Sequence, residues 1–273
     1  MTRLPLILAA LALLCGCTFQ GTGIAPFNPA PAPVSERDLE VPFVPTPPEV
    51  VEAMLDLAQL GTDDLLIDLG SGDGRIPIAA ARRGARALGV DIDSSRVSQA
   101  VLNARMAQLE TRALFRTQDL FQTPIRDASV VAIYLMPEIN LRLRPRLLTE
   151  LRPGARVVSH AFDMGDWRAD AHEVVDGRNI YLWVVPAEVA GSWTLTDPDG
   201  SVMTLDLDQR FQEVSGTLSG GGQTLALGDV TLRGTQLRFI AGGRTWWALV
   251  DGGTMTPDPA GGTQPAWRAQ RNS

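Results

Sequence analysis

Hydrophobic and polar positions along this chain fall into two regimes that change near Pro186. Up to that point, short apolar runs alternate with stretches in which apolar residues recur every three or four positions. The runs predict strands over 65–69, 86–91, 113–117, 129–135 and 155–161, and the periodic stretches predict helices over 75–83, 94–109 and 138–151. Glu173–Val175 and Ile180–Val185, separated by Asp176-Gly177-Arg178-Asn179, predict a hairpin. Strand–helix alternation finishing in a hairpin predicts an α/β fold. Its sheet is doubly wound, mostly parallel and seven-stranded, with an antiparallel strand at its edge. Ahead of the first strand, Thr46-Pro47-Pro48-Glu49 has the form of a capping box. Val50, Val51, Met54, Leu55 and Ala58 then follow at helical spacing, and Gly61 is the expected stop.

Beyond Pro186 the runs shorten and alternate, as in Trp193–Leu195, Met203–Leu207, Val230–Leu232 and Trp246–Leu249, between turns rich in Gly and Asp. About eight strands in roughly 80 residues predict a small all-β antiparallel barrel or sandwich over 190–273. Gly191-Ser192-Trp193 and Trp267-Arg268 bear a slight resemblance to lipocalin-like barrels, which implies architecture alone.

The N-terminus has a different pattern. One arginine precedes an apolar run from Leu4 to Leu14, too short for a bilayer span of about 20 residues but suited to a signal peptide. The run ends Leu14-Cys15-Gly16-Cys17, which resembles a bacterial lipoprotein signal over 1–17 and implies that Cys17 is lipidated. Pro26, Pro29, Pro31 and Pro33 make 18–40 a stiff linker. This implies a lipid anchor at the periplasmic face of a bacterial cell envelope. The alternative is an unprocessed N-terminus at the cytoplasmic face.

Composition narrows the chemistry. The net charge is −7, and all 24 basic residues are arginines scattered without a run. Phosphate binding depends on clustered cations, so nucleic acid is not the expected partner. Two histidines, His160 and His172, and two cysteines, Cys15 and Cys17, cannot assemble a zinc or Cys–His site.

The chemistry-bearing stretch is Leu66-Ile67-Asp68-Leu69-Gly70-Ser71-Gly72-Asp73-Gly74-Arg75. A dinucleotide fingerprint would need a third glycine where Arg75 or Pro77 stands. What remains is D-x-G-x-G-x-G, with Asp68 at a strand end and Asp73 inside the loop. Those carboxylates would repel a pyrophosphate but suit S-adenosylmethionine, which carries an ammonium and a sulfonium. Asp91 closes the second strand 21 residues after Gly70, the offset at which a carboxylate accepts from ribose hydroxyls. Asp119, closing the third, is placed to reach the adenine amine.

These acids and glycines resemble class I S-adenosylmethionine-dependent methyltransferases over 41–186. Val41–Pro47, Asp68–Arg75, Tyr134-Leu135-Met136-Pro137-Glu138 and Gly154–Val157 are similar to small bacterial methyltransferases. They are also similar to the mitochondrial enzymes that modify lysine in the ATP synthase c subunit and the adenine nucleotide translocase. The resemblance implies a Rossmann-like fold. It implies cofactor contacts from Thr46, Asp68, Gly70, Ser71, Gly72, Asp73, Gly74, Asp91, Ile92, Asp119 and Leu120. It also implies an acceptor site at Tyr134, Pro137 and Glu138.

Methyl transfer is an in-line displacement at an activated carbon, so positioning and proton removal carry the catalysis. The sequence after strand four departs from Asn-Pro-Pro-Tyr, which disfavours amide and base nitrogens as acceptors. Glu138 is suited to binding an ammonium and equally to a helix start; Tyr134 and His160 each have a packing reading beside the catalytic one. The expected activity is methyl transfer to a protein lysine. One alternative is an envelope lipoprotein that keeps the fold as a binding module without turnover, because the cofactor is made in the cytosol; the other is a small-molecule methyltransferase.

Overall fold

In the computed structural model, residues 44–262 and 265–272 are described. The signal segment 1–17 with Cys17 and the linker 18–40 lie outside them. Among the described residues no helix is long and apolar enough to cross a membrane, and no group of His, Cys, Asp and Glu could hold a metal.

The first sheet contains β1 (Leu65–Leu69), β2 (Arg86–Asp91), β3 (Ala113–Thr117), β4 (Val130–Ile133), β5 (Arg156–His160), β6 (Ala171–Val175) and β7 (Arg178–Val184). Its seven strands run in the order β3-β2-β1-β4-β5-β7-β6. The chain reverses direction across the sheet between β1 and β4, and in such sheets ligands sit at the carboxyl ends near that point. Strands β1, β4 and β5 are buried almost end to end because both faces are covered. Neighbouring positions therefore serve opposite cores. Ile67, Val131 and Val157 pack with Leu143 and Leu147 of α4 (Pro137–Glu150). Leu66, Val130 and Val158 pack with Met54 and Leu55 of α1 (Pro48–Leu57) and Ala80 of α2 (Arg75–Arg82). The third inter-strand helix, α3 (Ser94–Met106), covers β3 through Ala104 and Ala113.

Four sequence expectations differ from the structure. The antiparallel strand is not at the edge: β7 pairs antiparallel with both β5 and β6, and β6 is outermost. The turn between β6 and β7 is the two residues Asp176-Gly177, both at positive φ, which matches hairpin twist and draws Arg178 and Asn179 into the strand. Thr46 does not cap α1: Pro47 holds the cap position with no side-chain bond, and the helix stops at Ala58, followed by Gln59 at φ 49° rather than at Gly61.

The second sheet has nine strands in the order β11-β10-β9-β8-β16-β15-β14-β13-β12. They are β8 (Gly191–Thr196), β9 (Val202–Arg210), β10 (Glu213–Gly220), β11 (Gln223–Ala226), β12 (Gly228–Arg233), β13 (Gln236–Ala241), β14 (Arg244–Asp251), β15 (Thr254–Pro257) and β16 (Arg268–Arg271). Every pairing is antiparallel, and the first and last strands, β8 and β16, pair with each other. Only Leu227 separates the edge strands β11 and β12, so the two ends of the strand order lie side by side and the sheet curls nearly shut as a barrel. Its interior is filled by Trp193, Leu205, Leu237, Phe239, Trp246 and Trp267 among others. The barrel lies against the first sheet. Ala187 donates its N–H to the Gly234 carbonyl at 2.7 Å. Gly234 presses so close to Gly154 that a Cβ would sit 3.0 Å from its Cα.

Candidate active site

The glycine turn joins β1 to α2 and is closed onto β2: the N–H groups of Gly70 and Ser71 both donate to the Val90 carbonyl at 2.9 Å. Gly74 begins α2 at φ 83°, and a Cβ there would meet Phe115 at 2.6 Å and Ala100 at 2.8 Å. The absence of a side chain on the last glycine of the motif therefore lets the turn pack closely against β3 and α3. The Gly72 N–H donates to Asp91 Oδ2 at 2.8 Å, and the Asp93 N–H donates to Asp91 Oδ1 at 3.0 Å. Asp91 thus fixes the turn and keeps one further acceptor position on each oxygen.

Asp68 sits at the centre of the sheet between Gly89 and Ala132, small residues that leave room for its carboxyl group. It is 2% exposed. Burial first, then the charges of Asp91 and Asp73, push its carboxyl well above the ordinary carboxylate range. A buried acid facing two others is costly unless a cation joins it. Beside it the Ser71 hydroxyl is buried without a hydrogen-bond partner. An ammonium with acceptor groups around it would satisfy both, which is what the methionine end of S-adenosylmethionine offers. The residues fit that cofactor.

Arg75 supplies a connection that the sequence reading missed. Its Nε and Nη2 donate to the two oxygens of Asp73 at 3.0 and 2.6 Å, and its Nη1 donates to the Thr46 carbonyl at 2.6 Å. Burial pushes the Asp73 carboxyl up, but the bonds and charge of Arg75 outweigh it and hold the group below its ordinary value. The segment before α1 is thereby tied to the glycine turn. The Thr46 hydroxyl shares a hydrogen bond with Nδ1 of His160, the last residue of β5, at 3.1 Å. The Tyr134 ring lies 3.9 Å from the His160 ring, tilted by 38°, and 6.4 Å from that of Phe162. Burial, with a smaller effect from the charge of Arg178, pushes His160 down to about 4, so its ring is neutral near pH 7.

The structure brings Asp68, Ser71, Asp73 and Asp91 together at the strand ends, and Thr46 to Tyr134 through His160. Asp119 lies two residues past β3, where it accepts from the Phe121 N–H at 2.8 Å and caps a short turn containing Leu120, while the N–H of its neighbour Gln118 donates to the Asp91 carbonyl at 2.9 Å. Ile92 follows Asp91 and is half-buried. Pro137 opens α4, and Glu138 is exposed in its first turn. A separate groove of about 520 Å³ runs between α1, α2 and α3 and touches Asp73 and Arg75 from behind, on the helix side. None of the other strand-end acids lines it.

Residues 68–171 match the family model described as ANTKMT methyltransferase domain. The chain is 40% identical over 151 residues to a protein-lysine N-methyltransferase of Saccharolobus islandicus, covering 53% of this chain and 94% of that one. It is 37% identical over 154 residues to the adenine nucleotide translocase lysine N-methyltransferase of Mus musculus, covering 56% of this chain and 66% of that protein. The crystal structure of an RNA methyltransferase from Salinibacter ruber in complex with S-adenosyl-L-homocysteine superposes with a TM-score of 0.53. It is 48% identical and covers 54% of this chain and 96% of that one. The family match ends before the barrel begins.

Proposed function

Since the chain belongs to the ANTKMT methyltransferase family, we propose that the acceptor of this S-adenosylmethionine-dependent methyltransferase is the side-chain amine of a lysine in another protein. The observation that carries the lysine assignment is the chain's 40% identity to a protein-lysine N-methyltransferase of which it covers 94%.

The bound cofactor supplies a methyl group activated by its sulfonium. Asp68 and Ser71 take its charged amino-acid end, with Gly70, Gly72 and Asp73 shaping the turn beside it. Asp91 takes the ribose, and Ile92, Asp119 and Leu120 take the base. Thr46, tied down by Arg75, closes the near side of the crevice. The acceptor amine enters beside Tyr134 and Pro137. A lysine side chain is an ammonium at neutral pH, with a pKa of about 10.4, and must lose a proton before its nitrogen can form the new C–N bond as the C–S bond breaks. Exposed Glu138 at the mouth attracts that ammonium and relays the proton to water. His160 is held neutral and engaged by Thr46, so it orients Tyr134 rather than attracting charge.

The test is incubation with methyl-tritiated S-adenosylmethionine and cell protein, followed by acid hydrolysis. Label in methyllysine supports the reading, and protein free of labelled lysine overturns it. A second reading has one observation behind it, the 48% identity to the RNA methyltransferase of Salinibacter ruber. Label removed by ribonuclease and not by protease would favour RNA. The net charge of −7 and the arginine pairs at Arg75 and Arg144 weigh against that outcome.

A lipid anchor at Cys17 and residence on the bacterial envelope belong to the same proposal. They rest on the Leu14–Cys17 motif. Metabolic labelling with a fatty acid, compared between the native chain and Cys17→Ser, tests them.

A further inference from the structure

The turn between β9 and β10 carries Phe211 at φ 57°, a left-handed conformation that strains a bulky side chain. That geometry aims its ring out of the barrel and onto Trp167 of the first sheet's β5–β6 connection, 6.2 Å away and 28° from parallel. The guanidinium of Arg144, from α4, lies 5.3 Å from the centre of the same ring, and that of the barrel's Arg210 lies 5.7 Å from it. Arg144 and Arg210 both pair with Asp166. Gln212, next along the turn, donates to the Arg168 carbonyl at 2.6 Å, and Arg144 donates to the Met164 carbonyl at 2.8 Å.

The other end of that connection borders the acceptor side. Phe162 stacks on Tyr134, and its carbonyl accepts from the Ser159 hydroxyl at 2.6 Å. Asn140, fully buried in the first turn of α4, donates to the Asp163 carbonyl at 3.1 Å. Gly165 lies so close to Leu141 of the same helix that a Cβ would sit 2.9 Å from it. The connection enters this stretch through Ala161 at φ 67°, a second left-handed residue that is not glycine.

We propose that the barrel is a positioning element for methyl transfer: its β9–β10 turn, through Phe211 and Arg210, clamps the loop at 161–168 that forms the acceptor wall between Phe162 and the start of α4. A barrel joined only to raise stability would need contact with the sheet but no strained aromatic residue wedged against this loop. The proposal rests on the acceptor entering beside Tyr134, as argued above.

The experiment compares Phe211→Ala, Phe211→Tyr and Asp166→Asn in the full chain with the native protein, using tritiated S-adenosylmethionine and cell protein as acceptor. For Phe211→Ala, the KM for S-adenosylmethionine stays unchanged. The rate at saturating cofactor falls by about ten- to a hundredfold, as misplacement of an acceptor by an ångström does. Phe211→Tyr, which keeps the ring, restores the rate, and Asp166→Asn falls in between. Amide hydrogen exchange gives a readout independent of turnover: in Phe211→Ala, residues 162–168 exchange roughly tenfold faster while β1 stays protected. Unchanged exchange in that loop, or a rate unchanged beside faster exchange, overturns the proposal. Absence of methyl transfer by the native protein counts against the lysine reading instead, and leaves the exchange result to decide whether the clamp exists.

Discussion

Thr46 Oγ1 and His160 Nδ1 lie 3.1 Å apart across 114 residues of sequence, and the bond joins the entrance of the first helix to the end of the fifth strand. Because the imidazole is buried, its folded-state pKa is depressed from 6.5 to about 4. Between those values the unfolded chain binds a proton that the folded chain refuses. The contribution to stability is therefore complete above pH 6.5 and is lost as the pH falls toward 4. It amounts to about 3 kcal/mol at most. Thermal midpoints of the native protein should fall between pH 7 and pH 4.5. His160→Asn should flatten that limb, and an unaltered limb would exclude His160 as its source.

Asp68 works in the opposite sense. Its folded-state pKa is raised by burial and by Asp91 and Asp73, so the folded cofactor-free protein keeps a proton that the unfolded chain has released. Stability from this group is present at low pH and declines as the pH rises above 3.8. Asp68→Asn should raise the thermal midpoint of the cofactor-free protein at pH 8. The same change should weaken S-adenosylmethionine binding by roughly a hundredfold, the loss expected when a charged hydrogen-bond partner is removed. Calorimetry and thermal unfolding on one preparation check both. Tighter binding by the asparagine variant would remove Asp68 from the cofactor site.

These two residues show what the chain disclosed by itself. Asp68 was legible because an acid ending an apolar run before spaced glycines is a local pattern, and local patterns fix where a strand stops and a turn begins. The capping reading of Thr46 fails for the same reason, while its place beside the glycine turn stands. Thr-x-x-Glu is a local capping signal, yet the prolines at 47 and 48 take over the start of α1 and the hydroxyl finds a partner on a distant strand. The barrel was legible as alternation, but β15 and β16 were not. Thr254–Pro257 and Arg268–Arg271 are short and half exposed, and they become strands through pairing, β16 with β8 above all. Arg75 was seen only as a residue that failed a glycine pattern, although Asp73-Gly74-Arg75 already held the spacing for an acid–guanidinium bond.

Arg75 grips Asp73 with two nitrogens and the Thr46 carbonyl with a third. A lysine brings the same charge without the planar fork and cannot make all three bonds. Arg75→Lys should therefore keep the fold but release the segment before α1. The affinity for S-adenosylmethionine should drop about tenfold, worth roughly 1.4 kcal/mol. Amide exchange at Val50 and Val51, whose N–H groups donate to the Pro47 carbonyl at the start of α1, should quicken in parallel. Full affinity in the lysine variant would show that Asp73 and Thr46 are held without the fork.

The chain's 24 basic residues are all arginines, and this bears directly on how its acceptor can be found. With no lysine of its own, the chain offers the proposed activity no side-chain amine to modify. Purified protein incubated with tritiated S-adenosylmethionine should stay unlabelled on every internal residue, so that label entering added cell protein reports acceptors without a background from the enzyme. Arginine is a different target. Its guanidinium stays protonated at every physiological pH, and an enzyme that methylates it must activate a far weaker nucleophile than a deprotonated amine. The arginine-rich chain thus serves as its own negative control. Label appearing in methylarginine of the enzyme itself would overturn the lysine assignment while leaving the cofactor site intact.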